Sequence, residues 1–154
     1  NLSPNSYSSN TPLVQALAAE EIDVGLTNHY YVLRLRHGDA KVDDEDDIDP
    51  EAPVDIHRFE NGDVGNLALV TGAGVLETST NADAAHDFLR FLLDTEAQTF
   101  AVETLNEYPV VNGIDVPSYM LPVEEALQTS PEFDLEQLRN IEATLDLLRN
   151  EGLL

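Results

Sequence analysis

At 154 residues the chain can bury one core of ordinary size or supply half of a two-lobed protein. Its 42% hydrophobic content marks it as globular, and the absence of Cys excludes disulfides, a thiolate nucleophile and a zinc-finger site. Thirty acidic residues against six Arg and the single Lys41 give a net charge of −23, which excludes nucleic acid and anionic membrane faces as partners and points to a halophilic source whose salt screens the self-repulsion.

No stretch is long and apolar enough to span a membrane, and no signal peptide opens the chain. It begins without Met, at Asn1-Leu2-Ser3-Pro4, in what reads as mid-domain sequence, so the expectation is a fragment.

Residues 1–9 are turn formers. Asn10 is placed to cap a helix with Pro12 in its first turn and Leu13, Val14, Leu17 and Ala18 on one face, ending near Glu21. Ile22-Asp23-Val24-Gly25-Leu26 reads as a buried strand, and Asn28-His29-Tyr30-Tyr31 follows where that strand runs out. In open α/β sheets, ligands sit beyond the carboxyl ends of strands. Two adjacent tyrosines there admit two readings: a core ring beside a rim ring, or a pair of hard phenolate donors such as a ferric ion takes. From Tyr30 to Arg36 a period of two favours a strand, while the composition also allows a short helix ending at Gly38.

Residues 39–55 carry a dense acidic run, Asp43-Asp44-Glu45-Asp46-Asp47. It lacks the Gly and Glu positions of an EF-hand, so a solvated loop, partly disordered, is expected. A strand at Ile56–Glu60, a turn at Asn61-Gly62 and a buried strand at Leu67-Ala68-Leu69-Val70 come next. Gly72-Ala73-Gly74 lacks the Lys-Ser/Thr of a phosphate loop, and close backbone packing or a strand bend is the expected use of its glycines.

Asn81 or Asp83 caps a helix whose apolar face is Phe88, Leu89, Phe91, Leu92 and Leu93. A second helix starts at Thr95-Glu96 and runs through Phe100, Ala101 and Leu105. Glu107-Tyr108-Pro109-Val110 is extended, because the residue before Pro avoids helix. Short helices are expected at Val123–Gln128 and Leu135–Leu138. A last one, Asn140 to Asn150, turns Ile141, Leu145 and Leu148 inward and stops at Gly152. Strands alternating with helices make the expected class α/β.

In this order, the pieces resemble the C-terminal half of ferric-iron ABC-transporter substrate-binding proteins. These are the paired-tyrosine members of periplasmic-binding-protein class II, and with the acidic composition the resemblance implies a haloarchaeal source. The resemblance rests on Ser9-Asn10, Glu21-Ile22-Asp23-Val24-Gly25-Leu26, Asn28-His29-Tyr30-Tyr31 and Gly62-Asp63-Val64-Gly65-Asn66-Leu67. It continues through Val70 to Leu76, Phe88 to Leu93, Glu96-Ala97-Gln98, Glu107-Tyr108-Pro109, Leu147-Leu148 and Gly152-Leu153-Leu154. Only the acidic loop falls outside it.

That resemblance implies a two-lobed α/β architecture. Residues 1–63 would belong to the tyrosine-bearing lobe, 64–116 to the other, and 117–154 would return to the first with the C-terminal helix. It implies Tyr30 and Tyr31 as phenolate ligands of Fe(III), with phosphate or carbonate completing the coordination. Asn28 and Asn10 match the amides that hold the anion, Asn10 keeping its competing role as a helix cap. His29 would stand beside the ligands rather than among them. Further ligands, a His and a carboxylate, would come from an earlier lobe that this sequence does not contain.

The implied protein is a binding component, not an enzyme. It would hand iron to an ABC permease from an extracellular, cell-surface or periplasmic-equivalent location, membrane-anchored at full length. Three alternatives stay open: a binder of another anion or small organic solute, a small-molecule enzyme of the same fold, and a non-binding folding unit that covers its apolar faces by dimerising.

Overall fold

A computed structural model describes residues 5–38, 48–132, 134, 136 and 141–152. The architecture follows from which apolar runs find a partner, and the helical ones do. Among the described residues there are six α-helices and no β-strand.

Helix α1 spans Asn10–Ala18. Ser9 takes the N-cap position with extended backbone, so Asn10 is the first helical residue and not the cap. Past Ala19 the chain closes the helix with Glu20 in the left-handed region (φ 56°). Glu20 and Glu21 donate back to the Leu17 and Ala16 carbonyls at 3.0 and 2.9 Å, which satisfies the last turn as far as Glu21.

Helix α2 spans His29–His37 and stops at Gly38, whose φ of 79° suits a residue without Cβ. The alternation that favoured a strand here is overruled by burial. The adjacent residues Val32 and Leu33 both go inside, which a strand would send to opposite faces. Arg34, Arg36 and His37 gather in the last turn, where cationic groups suit the carbonyl end of the helix. Helix α2 packs on α1. The segment between them lies directly on α1 at Gly25, where a Cβ would stand 2.6 Å from Leu13 Cδ2.

A 3-10 turn at Val64–Asn66 follows the expected Asn61-Gly62 turn, in which Gly62 has a φ of 83°. Helices α3, Ala82–Leu92, and α4, Thr95–Leu105, form a hairpin, with Asn81 at the N-cap position of the first. Gln98 donates to the Leu92 carbonyl and accepts from the Val110 amide, both at 2.8 Å, tying the hairpin to the extended Tyr108–Val110 segment. Helix α5 spans Val123–Thr129 and α6 spans Ile141–Asn150, ending at Gly152 with φ 72°. In α6, Leu145 and Leu148 are half-buried, but Ile141, expected inward, is 64% exposed. The helix expected at Leu135–Leu138 and most of the acidic loop, residues 39–47, lie outside the described residues.

The expected strands are where sequence and structure part. Ile22–Leu26, Ile56–Glu60 and Leu67–Val70 form no ladder, and Val24 and Leu26 are 80% and 86% exposed. A strand exists only by pairing, so an apolar run without a neighbour to bond stays irregular. Gly72 and Gly74 likewise meet nothing: a Cβ at either would have no atom within 4 Å, so close packing is not their use here.

The core is correspondingly small: Val14 and Ala16 of α1, Val32 and Leu33 of α2, Ala52, Val102 of α4 and Met120. The chain exposes 11973 Å², roughly half as much again as the ~7,700 Å² that area scaling gives a compact monomer of its 16.9 kDa. Stability should therefore be concentrated at the few closed contacts. Val102→Ala is expected to cost about 2 kcal/mol, and Val24→Thr less than about 0.5 kcal/mol, in urea unfolding at constant salt. Equal costs would show that the 22–26 run is packed after all.

Candidate metal centre

The first turn of α2 carries both tyrosines, and Asn28 immediately precedes it as the N-cap residue. With the helix starting at His29, consecutive residues fan out by about 100° each. The Tyr30 and Tyr31 rings nevertheless lie side by side, centroids 4.5 Å apart and planes inclined by 35°. Both are half-buried. One helical turn on, the Arg34 guanidinium stands 4.9 Å from the Tyr31 ring centre and 5.8 Å from that of Tyr30. A cation over the ring faces favours this arrangement.

Asn28 Nδ2 donates to the Tyr30 hydroxyl at 3.1 Å. The bond favours the phenolate, but burial dominates and holds the Tyr30 hydroxyl above its usual pKa, with Tyr31 and Glu107 acting in the same direction. Burial thus adds to the reluctance of the Tyr30 phenol to ionise. Glu107 has its own pKa raised by burial, with the Arg34 charge pulling the other way. Tyr30, Arg34 and Glu107 form one electrostatic unit.

The His29 ring stands edge-on to Tyr30, centroids 5.7 Å apart, and reaches toward the end of α4. Its Nε2 lies 3.0 Å from the Asn106 carbonyl oxygen. A carbonyl only accepts, so the ring proton sits on Nε2. The His29 ring also contacts Tyr108, with centroids 5.2 Å apart. Burial lowers the His29 pKa, the Asn106 carbonyl opposes this, and Arg58 adds to the lowering.

Asn28, His29, Tyr30 and Glu107 all line one open trough, walled by the 22–26 and 67–71 segments and the exposed faces of α3 and α4. Its volume is about 2210 Å³, well beyond the ~300–1,000 Å³ of a small-molecule pocket. Asn10 does not face it. It lines a smaller depression of about 410 Å³ with Asn5, Tyr7 and Leu13, and the 22–26 segment is the wall between the two. The structure brings Asn28, His29, Tyr30 and Tyr31 together and leaves Asn10 in a separate concavity.

Among the described residues no cluster of three or more His, Asp or Glu could hold a metal ion. Arg34, Glu107 and Asn106 were not foreseen as parts of this region. Arg34 was findable from its spacing of three and four residues from the tyrosines.

No family model matches the chain. It is 35% identical over 106 residues to "Iron uptake protein A2" of Synechocystis sp., which takes in 69% of this chain and 30% of that protein. It is 33% identical over 104 residues to "Major ferric iron-binding protein" of Neisseria meningitidis, covering 68% and 29%. Nearly the whole chain, 97%, aligns at 24% identity with 41% of "Fe(3+)-binding periplasmic protein" of Serratia marcescens. The chain thus spans only about a third of the length of these relatives. They are binding and uptake proteins, not enzymes. No helix among the described residues is long and apolar enough to cross a membrane.

The His29 environment has a measurable signature. Its folded pKa is lowered, so between about pH 7.5 and 5.5 the unfolded chain takes up a proton that the folded chain resists, and stability falls as pH falls. His29→Gln should flatten that part of the slope. Thermal midpoints of both proteins across this range, at constant salt, test it; parallel slopes would show that His29 is not held neutral.

Proposed function

We propose that this chain is the C-terminal part of a two-lobed α/β binding protein that takes Fe(III) through the phenolates of Tyr30 and Tyr31. Residues 1–63 and 117–154 would contribute to one lobe and 64–116 to the other. The observation that carries the reading is the phenol pair itself, two half-buried oxygen-bearing rings 4.5 Å apart on one helical turn, of which Tyr30 lines the trough and Tyr31 stands beside it. The similarity to proteins named for ferric-iron binding and iron uptake supports it.

The uncovered surface fits the same reading. The apolar 22–26 and 67–70 runs have the composition of paired strands, and in the longer polypeptide they would find ladder partners and cover. The trough is too wide to grip an ion, so closure against a second lobe would supply the remaining ligands. Alone, the chain is expected to self-associate through this face.

A trivalent ion with two phenolates leaves one positive charge. In a closed, poorly solvated cleft an uncompensated charge is costly, and a carboxylate of the earlier lobe, phosphate or carbonate would offset it. Asn28 already directs an amide donor to this face and has a second N–H to offer such an anion. Asn10 would join only if the wall between the two concavities moved. Delivery to an ABC permease from outside the membrane, with the full protein anchored there, completes the proposal. The charge of −23 and the halophilic source it implies set the conditions of the assay: molar salt.

The test is titration of the complete polypeptide with Fe(III) and phosphate in high salt. A visible tyrosinate-to-iron band should appear, weaken on acidification because phenol protons must leave, and be lost or strongly reduced in Tyr30→Phe and Tyr31→Phe. Absence of a band in the well-folded wild type would overturn the proposal.

A further inference from the structure

Both ends of the tyrosine-bearing helix are tied to one distant residue. Asn106 sits at the end of α4 in the left-handed conformation, φ 59° and ψ 30°, and is only 1% exposed. Its backbone carbonyl accepts from His29 Nε2 at 3.0 Å, and His29 is the residue before Tyr30. Its Nδ2 donates to the carbonyl of Gly38, the residue that ends α2, at 3.0 Å. Its Oδ1 accepts from the Tyr119 hydroxyl at 2.9 Å. The Tyr119 ring in turn stacks on His37, the last residue of α2, with centroids 3.9 Å apart.

From this geometry we infer that Asn106 is a positioning residue for the phenol pair, an inference that rests on the ferric reading above. It touches neither phenol. It acts by fixing the start of α2 through His29 and the end of α2 through Gly38 and Tyr119, which sets the direction in which the first turn presents Tyr30 and Tyr31. Few side chains could do the same. The backbone must enter the left-handed region, which Asn tolerates and branched or bulky residues do not. The side chain must also donate at one end and accept at the other, which a carboxylate or an aliphatic group cannot.

Two variants separate positioning from bulk stability. Asn106→Gly keeps the left-handed backbone and the carbonyl that holds His29, and removes the bonds to Gly38 and Tyr119. Tyr119→Phe removes only the hydroxyl that reaches Asn106 and leaves the stacked ring. Both are made in the complete polypeptide and loaded with Fe(III) and phosphate at a temperature where each is folded. Outer groups that orient metal ligands typically change affinity about 10- to 100-fold when removed. Asn106→Gly should weaken iron binding by about that factor and shift the tyrosinate-to-iron band, and Tyr119→Phe should move both in the same direction by less.

A variant that merely melts earlier, with the wild-type band and affinity while folded, overturns the inference and leaves the ferric reading standing. A folded wild type with no band overturns both. Hydrogen exchange of the α2 amides, which needs no metal, is a second check. Unchanged protection of residues 31–37 in Asn106→Gly would show that Asn106 does not hold the helix, and this too would overturn the inference.

Discussion

A buried asparagine in a left-handed turn is the constraint on which the tyrosine-bearing helix depends. Helix α2 has nine residues, too few to hold its own shape in water, where about 12–15 are needed even for favourable sequences. It is also supported by packing on α1, by the burial of Val32 and Leu33, and by the Asp49 amide, which donates to the Leu35 carbonyl at 2.8 Å. The bonds at Asn106 tie the helix at both ends, through His29 and Gly38. Each joins groups that are part-buried, so loss of a partner leaves a polar atom without water and costs more than the bond itself contributes.

The rest of the molecule is loosely closed by comparison. Apolar runs that would normally lie inside a sheet stand in solvent beside a strongly acidic surface. The two features act against each other in dilute buffer. Like charges repel and favour expansion, while exposed apolar surface favours association. High salt changes the balance in one direction on both counts, screening the charge within a few ångströms and strengthening apolar burial. The amino-acid balance and the exposed trough therefore impose the same requirement on the environment.

What the sequence could reveal divides along local and non-local lines. Helices α3, α4 and α6 were legible because their apolar spacing and end signals lie within the helix itself. Helix α2 was half legible: Gly38 marks a stop, but alternating Leu and Arg residues imitate a strand, and only burial of the adjacent Val32 and Leu33 decides. The Ile22–Leu26 and Leu67–Val70 runs have strand composition, yet pairing is a property of two segments and no single run encodes it. Tyr30 and Tyr31 could be singled out because they are neighbours in the chain. Asn106 could not, since its partners at His29 and Gly38 lie 77 and 68 positions away. Asn directly after an apolar helical run hinted at a left-handed cap and at nothing more.

Surface charge cannot be the source of any preference for a trivalent metal. Thirty carboxylates attract every cation in proportion to its charge, and molar salt screens that attraction to contact range. On the ferric reading proposed above, discrimination would come from groups that remain neutral until the right ion arrives. Burial raises the pKa of the Tyr30 hydroxyl, and that of Glu107 as well. A weakly acidic or monovalent cation gains too little at such oxygens to displace a phenol proton. A hard trivalent ion gains enough, because the phenolate it creates is a far stronger donor than the phenol it meets. On that reading, the reluctance of Tyr30 to ionise by itself would then filter the cations that the acidic surface collects.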